Sequence, residues 1–142
     1  MKRILLSAWL LCVAIAIMAE AKYVFYFIGD GMGPNQVLNA EMYQAAIQGI
    51  NGRVPLCMTQ FPYSGQAATF SASDGITDSA AAGTCLASGK KTNNGMIGQT
   101  PDGAPVYSVA SQLKAEGWGI GIMSTVPVDH ATPHVCSMIL GL

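Results

Sequence analysis

Apolar positions fall along this chain in two alternating periods, and the switch from one to the other marks out its elements. Tyr23 to Ile28 is an unbroken aromatic and β-branched run ending on a glycine cluster, the pattern of a strand buried on both faces. Beyond Gly29-Asp30-Gly31-Met32-Gly33 the period lengthens: Pro34 suits a first helical turn, and Val37, Leu38, Met42 and Ala45 recur at helical spacing until Gly49. Asn51 to Pro55 reads as a polar turn and Leu56 to Phe61 as a short apolar patch. Ser64 to Ser71 alternates weakly, as a second strand would, and feeds the loop Ala72 to Ile76. A helix follows, with Thr77 as its cap, Asp78 and Ser79 opening it, Ala80 to Gly83 carrying it and Gly89 closing it in a left-handed conformation. Lys90 to Gly98 is a polar loop and Thr100 to Pro105 a turn. Val106, Val109, Ala110 and Leu113 then form the apolar face of another helix stopping at Gly117. Trp118 to Val126 reads as a further buried strand, and Pro127 to Pro133 as the loop after it.

The resulting order, β-α, β-α, α-β, argues for a mostly parallel sheet covered on both faces. Ligands of such sheets collect at the carboxyl ends of the strands. Asp30 follows the first strand, Ser79 opens the helix after the second, and Asp129, His130 and Thr132 follow the third, so three loops with chemistry would meet at one edge. There is no internal repeat and no low-complexity tract.

At 142 residues the chain has the length of one modest domain. Its first 21 residues carry Lys2 and Arg3, an uncharged apolar run from Ile4 to Met18, and Ala19-Glu20-Ala21 before Lys22, the layout of a secretory signal with a small-residue cleavage site. Residues 1–21 are therefore read as a signal peptide and the product as secreted or periplasmic. The run is short of the roughly 20 apolar residues that span a bilayer, and an uncleaved membrane anchor is the alternative. Trp9-Leu10-Leu11 lacks the small residue expected before a lipid-modified cysteine at Cys12. Formal charge is −1, with no basic stripe, which argues against nucleic acid as a partner. Cleavage leaves Cys57, Cys85 and Cys136, an odd number that closes no disulfide set and whose spacing makes no zinc site.

Ser79 at a helix N-terminus would meet unpaired backbone N–H groups and the positive end of the helix dipole, a setting that favours an anion. An Ala-rich packing helix with an ordinary cap has the same appearance. Asp30 between glycines is placed where a carboxylate could hold a divalent cation or simply form a turn. Gly31-x-Gly33 lacks the third glycine of a dinucleotide loop, where Gln36 stands, so a nicotinamide site is rejected. A serine needs a base or a metal to take its proton. The two histidines are His130 and His134, and Thr77 and Ala81 occupy the places that glycine holds in a hydrolase nucleophile elbow. Metal activation is the better account, with Thr132 able to add a neutral oxygen to a hard-cation site; Thr132-Pro133 also reads as an ordinary turn.

Taken in order, Ile28-Gly29-Asp30-Gly31-Met32-Gly33, Thr77-Asp78-Ser79-Ala80-Ala81-Ala82-Gly83-Thr84, Lys91-Thr92-Asn93-Asn94-Gly95 and His130-Ala131-Thr132-Pro133 resemble the alkaline phosphatase family. The likeness runs from about Tyr23 to Pro133. It implies an α/β three-layer sandwich with a mostly parallel central sheet, of which residues 22–142 would be the N-terminal part. It also implies metal-dependent hydrolysis of phosphate monoesters through a phosphoserine at Ser79. By resemblance, Asp30 is a carboxylate shared between a catalytic zinc and a magnesium site, Ser79 is also a metal ligand, Thr132 is a magnesium ligand, Asp78 orients an arginine that grips phosphate, and His130 tunes the magnesium side or its water. Two Zn2+ and one Mg2+ are the family's complement, and a homodimer is common among full-length members.

Family members run to several hundred residues, and their remaining zinc ligands, magnesium glutamate and phosphate-gripping arginine follow the position of Pro133. The expectation from His134 to Leu142 is a departure from the family, as a frameshift or premature stop would give. An inactive truncated remnant lacking most zinc ligands is therefore the alternative function. Strands such as Tyr23 to Ile28 would then lack neighbours and expose edges prone to association. A sulfatase or metal-dependent mutase of related fold is a third class, against which the Thr77-Asp78-Ser79-Ala80-Ala81 context speaks.

Overall fold

The computed structural model describes residues 21–138; the signal-peptide reading, apart from Ala21, and the last four residues lie outside them. Among the described residues four α-helices follow one another: α1, Pro34–Ile47; α2, Ser79–Ser88; α3, Val109–Ala115; and α4, Ala131–Met138. A 3-10 turn, Cys57–Gln60, lies between α1 and α2. Among the described residues no helix is long and apolar enough to cross a membrane.

Helix α1 starts where the pattern predicts, with Pro34 at a position whose missing N–H is not needed. Gln36 reaches back so that its Oε1 accepts the Gly33 N–H at 3.0 Å. The face that α1 buries differs from the expected one. Leu38 and Met42 remain exposed, while Glu41 and Ala45 are buried. The chain returns over this face at Arg53 to Thr59 and brings donors to the Glu41 carboxylate: Arg53 Nη1 at 3.0 Å, Leu56 N–H at 3.1 Å and Thr59 Oγ1 at 2.6 Å. The hydroxyl of Thr59 first, then the Leu56 N–H and the Arg53 charge, hold the carboxyl below its usual range against the opposing effect of burial.

Helix α2 is capped by Asp78 rather than Thr77. The Asp78 carboxylate accepts the Ala81 N–H at 2.8 Å, a bond the Thr77 hydroxyl does not make because it turns to the Asp78 carbonyl. Gly89 closes the helix at φ +71°, as expected. Ala80, Ala81, Gly83, Thr84 and Ala87 are buried, and α2 packs chiefly on α4. The small residues permit that approach. A Cβ on Gly83 would stand 3.2 Å from Val135 Cγ2 and 3.8 Å from Thr132 Cα, and Val135 is wholly buried.

Two further boundaries shift. Helix α3 begins at Val109, leaving Val106 outside, because Ser108 supplies the cap by accepting the Ser111 N–H at 3.1 Å. The loop expected through Pro133 ends at His130. Thr132 and Pro133 lie in the first turn of α4, where a proline's absent N–H removes no helical bond.

The three expected strands are not built into a sheet among the described residues. Tyr23 to Ile28, Ser64 to Ser71 and Trp118 to Val126 form no ladder, and the β-type pairing present is an isolated antiparallel bridge between Gln99 and Pro105. The difference from the helices is physical: a helix satisfies its backbone from within, whereas a parallel strand needs a neighbour brought from far along a chain.

Candidate functional site

Three segments meet around the Asp30 carboxylate. The first is the glycine turn after the extended run, where the Met32 N–H donates to the Gly29 carbonyl at 3.1 Å and Gly31 takes φ +67°, a conformation costly for a side chain with a Cβ. The second is the N-terminus of α2 and the third the first turn of α4. Ser79 Oγ donates to Asp30 at 3.0 Å from Oδ2 and 3.2 Å from Oδ1. Thr132 Oγ1 donates to Asp30 Oδ2 at 2.9 Å. One carboxylate thus gathers hydroxyls from positions 49 and 102 residues further along the chain. Because Gly83 and Val135 fix how closely α2 and α4 approach, the apolar seam sets the distance between Ser79 and Thr132.

The other expected residues are arranged around this cluster. Asp78 precedes Ser79 and uses both carboxylate oxygens on backbone: Oδ1 accepts from Ala81 and Oδ2 from the Gly95 N–H at 2.6 Å. His130 is exposed and is not among the side chains bonded to Asp30. Its N–H donates to the Pro127 carbonyl at 2.9 Å and its carbonyl accepts the His134 N–H at 2.9 Å, so its backbone fastens the loop to α4. Asp129 sits in the turn just before it. Lys91, in the third motif, lies 3.4 Å from the Phe70 ring centroid and donates to the Phe70 carbonyl. Cys57, Cys85 and Cys136 are free thiols, and burial pushes that of Cys136 up.

Two groups of residues escape a reading of the sequence. Asn94 and Gly95 hold the entry to α2, and their signal is the Asn-Asn-Gly turn at the end of the third motif. Glu41 organises the return after α1. Its signal is a carboxylate at the i+3 place from Leu38 and four residues before Ala45, on a face where an apolar residue is expected.

The donor set can be weighed against a cation. Asp30 and Thr132 offer one carboxylate and one neutral oxygen, which suits a hard ion that binds through one or two carboxylates and retains water. Zinc in catalytic sites keeps three protein ligands. Among the described residues no group of three His, Cys, Asp or Glu side chains could hold a metal, so these residues supply half of a hard-cation site and do not by themselves complete a zinc site.

A serine hydroxyl at a helix N-terminus, bonded to a carboxylate that a second hydroxyl also engages, is an arrangement whose chemistry suits an oxyanion and a hard cation. Comparison with known proteins gives that class a family. The sequence model described as alkaline phosphatase matches residues 21–138, and the chain belongs to the alkaline phosphatase family, whose members are generally metal-dependent phosphoric monoester hydrolases. It is 35% identical over 124 residues to the tissue-nonspecific alkaline phosphatase of Gallus gallus, covering 80% of this chain and 24% of that one. Identity to alkaline phosphatase 4 of Bacillus subtilis (strain 168) is 37% over 121 residues, covering 81% and 25%. The crystal structure of a cold-active alkaline phosphatase from the psychrophile Shewanella sp. superposes with a TM-score of 0.68 at 34% identity, covering 76% of this chain and 27% of that one. The fold is thus alkaline phosphatase-like, and the chain spans about a quarter of the length of these relatives. The family match runs on past Pro133 to Met138, through the helix α4 in which the expected departure would have begun.

Proposed function

We propose that this chain carries the nucleophile-bearing part of a metal-dependent phosphatase that hydrolyses phosphate monoesters through a phosphoserine at Ser79. The observation that carries the reading is the convergence of Ser79 and Thr132 on Asp30 at the N-terminus of α2. Ser79 Oγ donates its hydrogen bond to Asp30, which leaves an oxygen lone pair free to attack phosphorus. The Ser79 Oγ–P bond forms as the bond from phosphorus to the ester oxygen breaks, the alcohol departs with a proton from the serine hydroxyl or solvent, and water then attacks the phosphoserine, releasing inorganic phosphate and returning the serine hydroxyl. At the start of α2 the Asp78 and Ala81 N–H groups already have side-chain acceptors, and those of Ser79 and Ala80 would meet the charge that builds on the phosphoryl oxygens. Asp30 and Thr132 would hold the hard cation, magnesium in this reading, whose chemistry is to stabilise a serine alkoxide and polarise a phosphoryl oxygen.

Asp78 spends one acceptor site of each oxygen on backbone, and an ionised carboxylate offers about four, so it keeps capacity to orient a phosphate-gripping arginine. His130 stands two residues before Thr132, at the entry to α4, and tunes the magnesium side or its water. Two zinc ions, with Asp30 and Ser79 among their ligands, belong to the whole enzyme in this reading. So do the three-layer sandwich with a mostly parallel sheet, residues 22–142 as the N-terminal part of its catalytic domain, and a homodimer. Residues 1–21 direct it to secretion or the periplasm, with membrane anchoring as the alternative.

A second reading, that residues 22–142 are inactive by themselves, draws on the donor set: one carboxylate and two hydroxyls, with no cluster for zinc among the described residues. Hydrolysis of a chromogenic phosphate monoester by the purified chain with zinc and magnesium, beside a Ser79→Ala control, separates the two. Turnover that the control lacks supports the phosphatase reading for the chain itself. Equal rates support the inactive one.

A further inference from the structure

The direction of the Ser79 hydroxyl depends on the backbone that leads into α2, because Ser79 is the helix's first residue. That entry is gripped from one side by a single amide. Asn94 Oδ1 accepts the Asp78 N–H at 3.2 Å, while Asn94 Nδ2 donates to the Ile76 carbonyl at 3.0 Å. The side chain therefore straddles Thr77 and pins the peptide group on each side of it. Its own N–H donates to Ser73 Oγ at 3.0 Å, tying the loop Ser71 to Asp74 into the same unit. The next residue completes the grip. Gly95 takes φ +80°, and its N–H reaches Asp78 Oδ2 at 2.6 Å, holding the carboxylate whose other oxygen caps the helix through Ala81.

We propose that Asn94 is a positioning residue for Ser79, an inference that rests on the reading of Ser79 as the nucleophile. The chemistry selects the residue type. Ile76 presents an acceptor and Asp78 a donor, and a short side chain with a donor and an acceptor at its tip is an asparagine. Aspartate keeps an acceptor for Asp78 but loses the donor to Ile76 and adds a like charge beside the Asp78 carboxylate; alanine loses both bonds. Asn94 and Gly95 are exposed, so each bond is weak alone. Their joint effect is on direction, since three of them fall on Ile76 and Asp78, one to three residues before Ser79, and Asp78 caps its helix.

The test is nuclear magnetic resonance of the labelled chain and of its Asn94→Ala and Asn94→Asp variants, joined to acid-quench mass spectrometry of Ser79 after exposure to a phosphate monoester with zinc and magnesium. In the parent, Ser79 couplings report one side-chain rotamer. In Asn94→Ala they average, and the Ala81 and Gly95 amides exchange about tenfold faster, on the scale of one lost hydrogen bond. The Thr84 and Val135 amides at the α2–α4 seam stay within about twofold on the same scale. Asn94→Asp falls between the two and keeps the check open should the alanine variant fold poorly. Unchanged couplings, or seam amides that accelerate as much as Ala81 and Gly95, would overturn the positioning role and leave Asn94 as a fold contact. Absence of phosphate on Ser79 in the parent chain bears on the nucleophile reading alone, and the couplings still decide whether Asn94 aims the side chain.

Discussion

Ser71 to Gly98 and Tyr23 to Phe27 are both stretches that the sequence marks strongly, yet they end in opposite states. In the first, hydroxyls, amides and two carboxylates find partners within the stretch itself: Ser71 with Asp74, the Asp74 carboxylate with the Ile76 N–H, Ser73 with Asn94, Asp78 with Gly95, Thr84 Oγ1 with the Gly98 N–H. Thr84 and Thr92 are buried in consequence. In the second, five large apolar side chains stand 64–88% exposed and no strand lies beside them among the described residues. A helix with a capped start needs partners a few residues away. A strand buried on both faces needs partners from elsewhere in a fold of which the matched relatives have about four times the length. The chemistry gathered at Asp30 sits where these two kinds of structure meet.

The largest effect expected is on chemistry. Ser79→Ala is expected to cut phosphate-monoester hydrolysis on the order of a thousandfold or more, as loss of a nucleophile does elsewhere, while circular dichroism stays unchanged because the removed bonds are exposed. Retained activity would mean that the ordered region serves only as framework. Next comes the seam. Gly83→Val places a side chain 3.2 Å from Val135 Cγ2 and is expected to cost about 1–3 kcal/mol in urea denaturation, with hydrolysis falling in parallel as Thr132 moves from Asp30.

A smaller effect is expected from acid. The Glu41 carboxyl has a lowered pKa in the folded chain, so its contribution is complete above the usual carboxylate range and is lost as pH falls through the lowered value. Melting followed from neutral pH downward is expected to decline there, and Glu41→Gln to remove that part of the pH dependence. An unchanged acid limb would show that the return over α1 does not rest on this charge. The smallest effect on folding belongs to the exposed run. Phe25→Lys with Phe27→Lys is expected to lower self-association in light scattering while leaving the melting of the helices nearly as it was, since these rings are 79% and 88% exposed. A large drop in stability would place them in a core.

What the sequence made legible follows the same division. The start of α1 at Pro34, the closure of α2 at Gly89 and the meeting of Asp30, Ser79 and Thr132 depend on local cues and on motif order, and they are where the residues put them. The cap moved from Thr77 to Asp78 because either side chain could serve, and only the neighbouring Gly95 N–H favours the carboxylate. Pro133 looked like the end of a loop because proline breaks helices; in a first turn it does not. The strands were legible as extended runs and not as a sheet, since register and neighbours are not properties of one run. Glu41 was missed because a buried carboxylate is explained by donors that return from Arg53 to Thr59, which helical spacing does not report.

Whether Ser79 takes the phosphoryl group is read from acid-quenched peptide mapping. The chain is incubated with a phosphate monoester, zinc and magnesium, stopped in acid and digested. One phosphate is expected on the peptide bearing Ser79, absent from Ser79→Ala. Phosphate on another residue, or a turnover of substrate equal in both proteins with Ser79 unmodified, would contradict it.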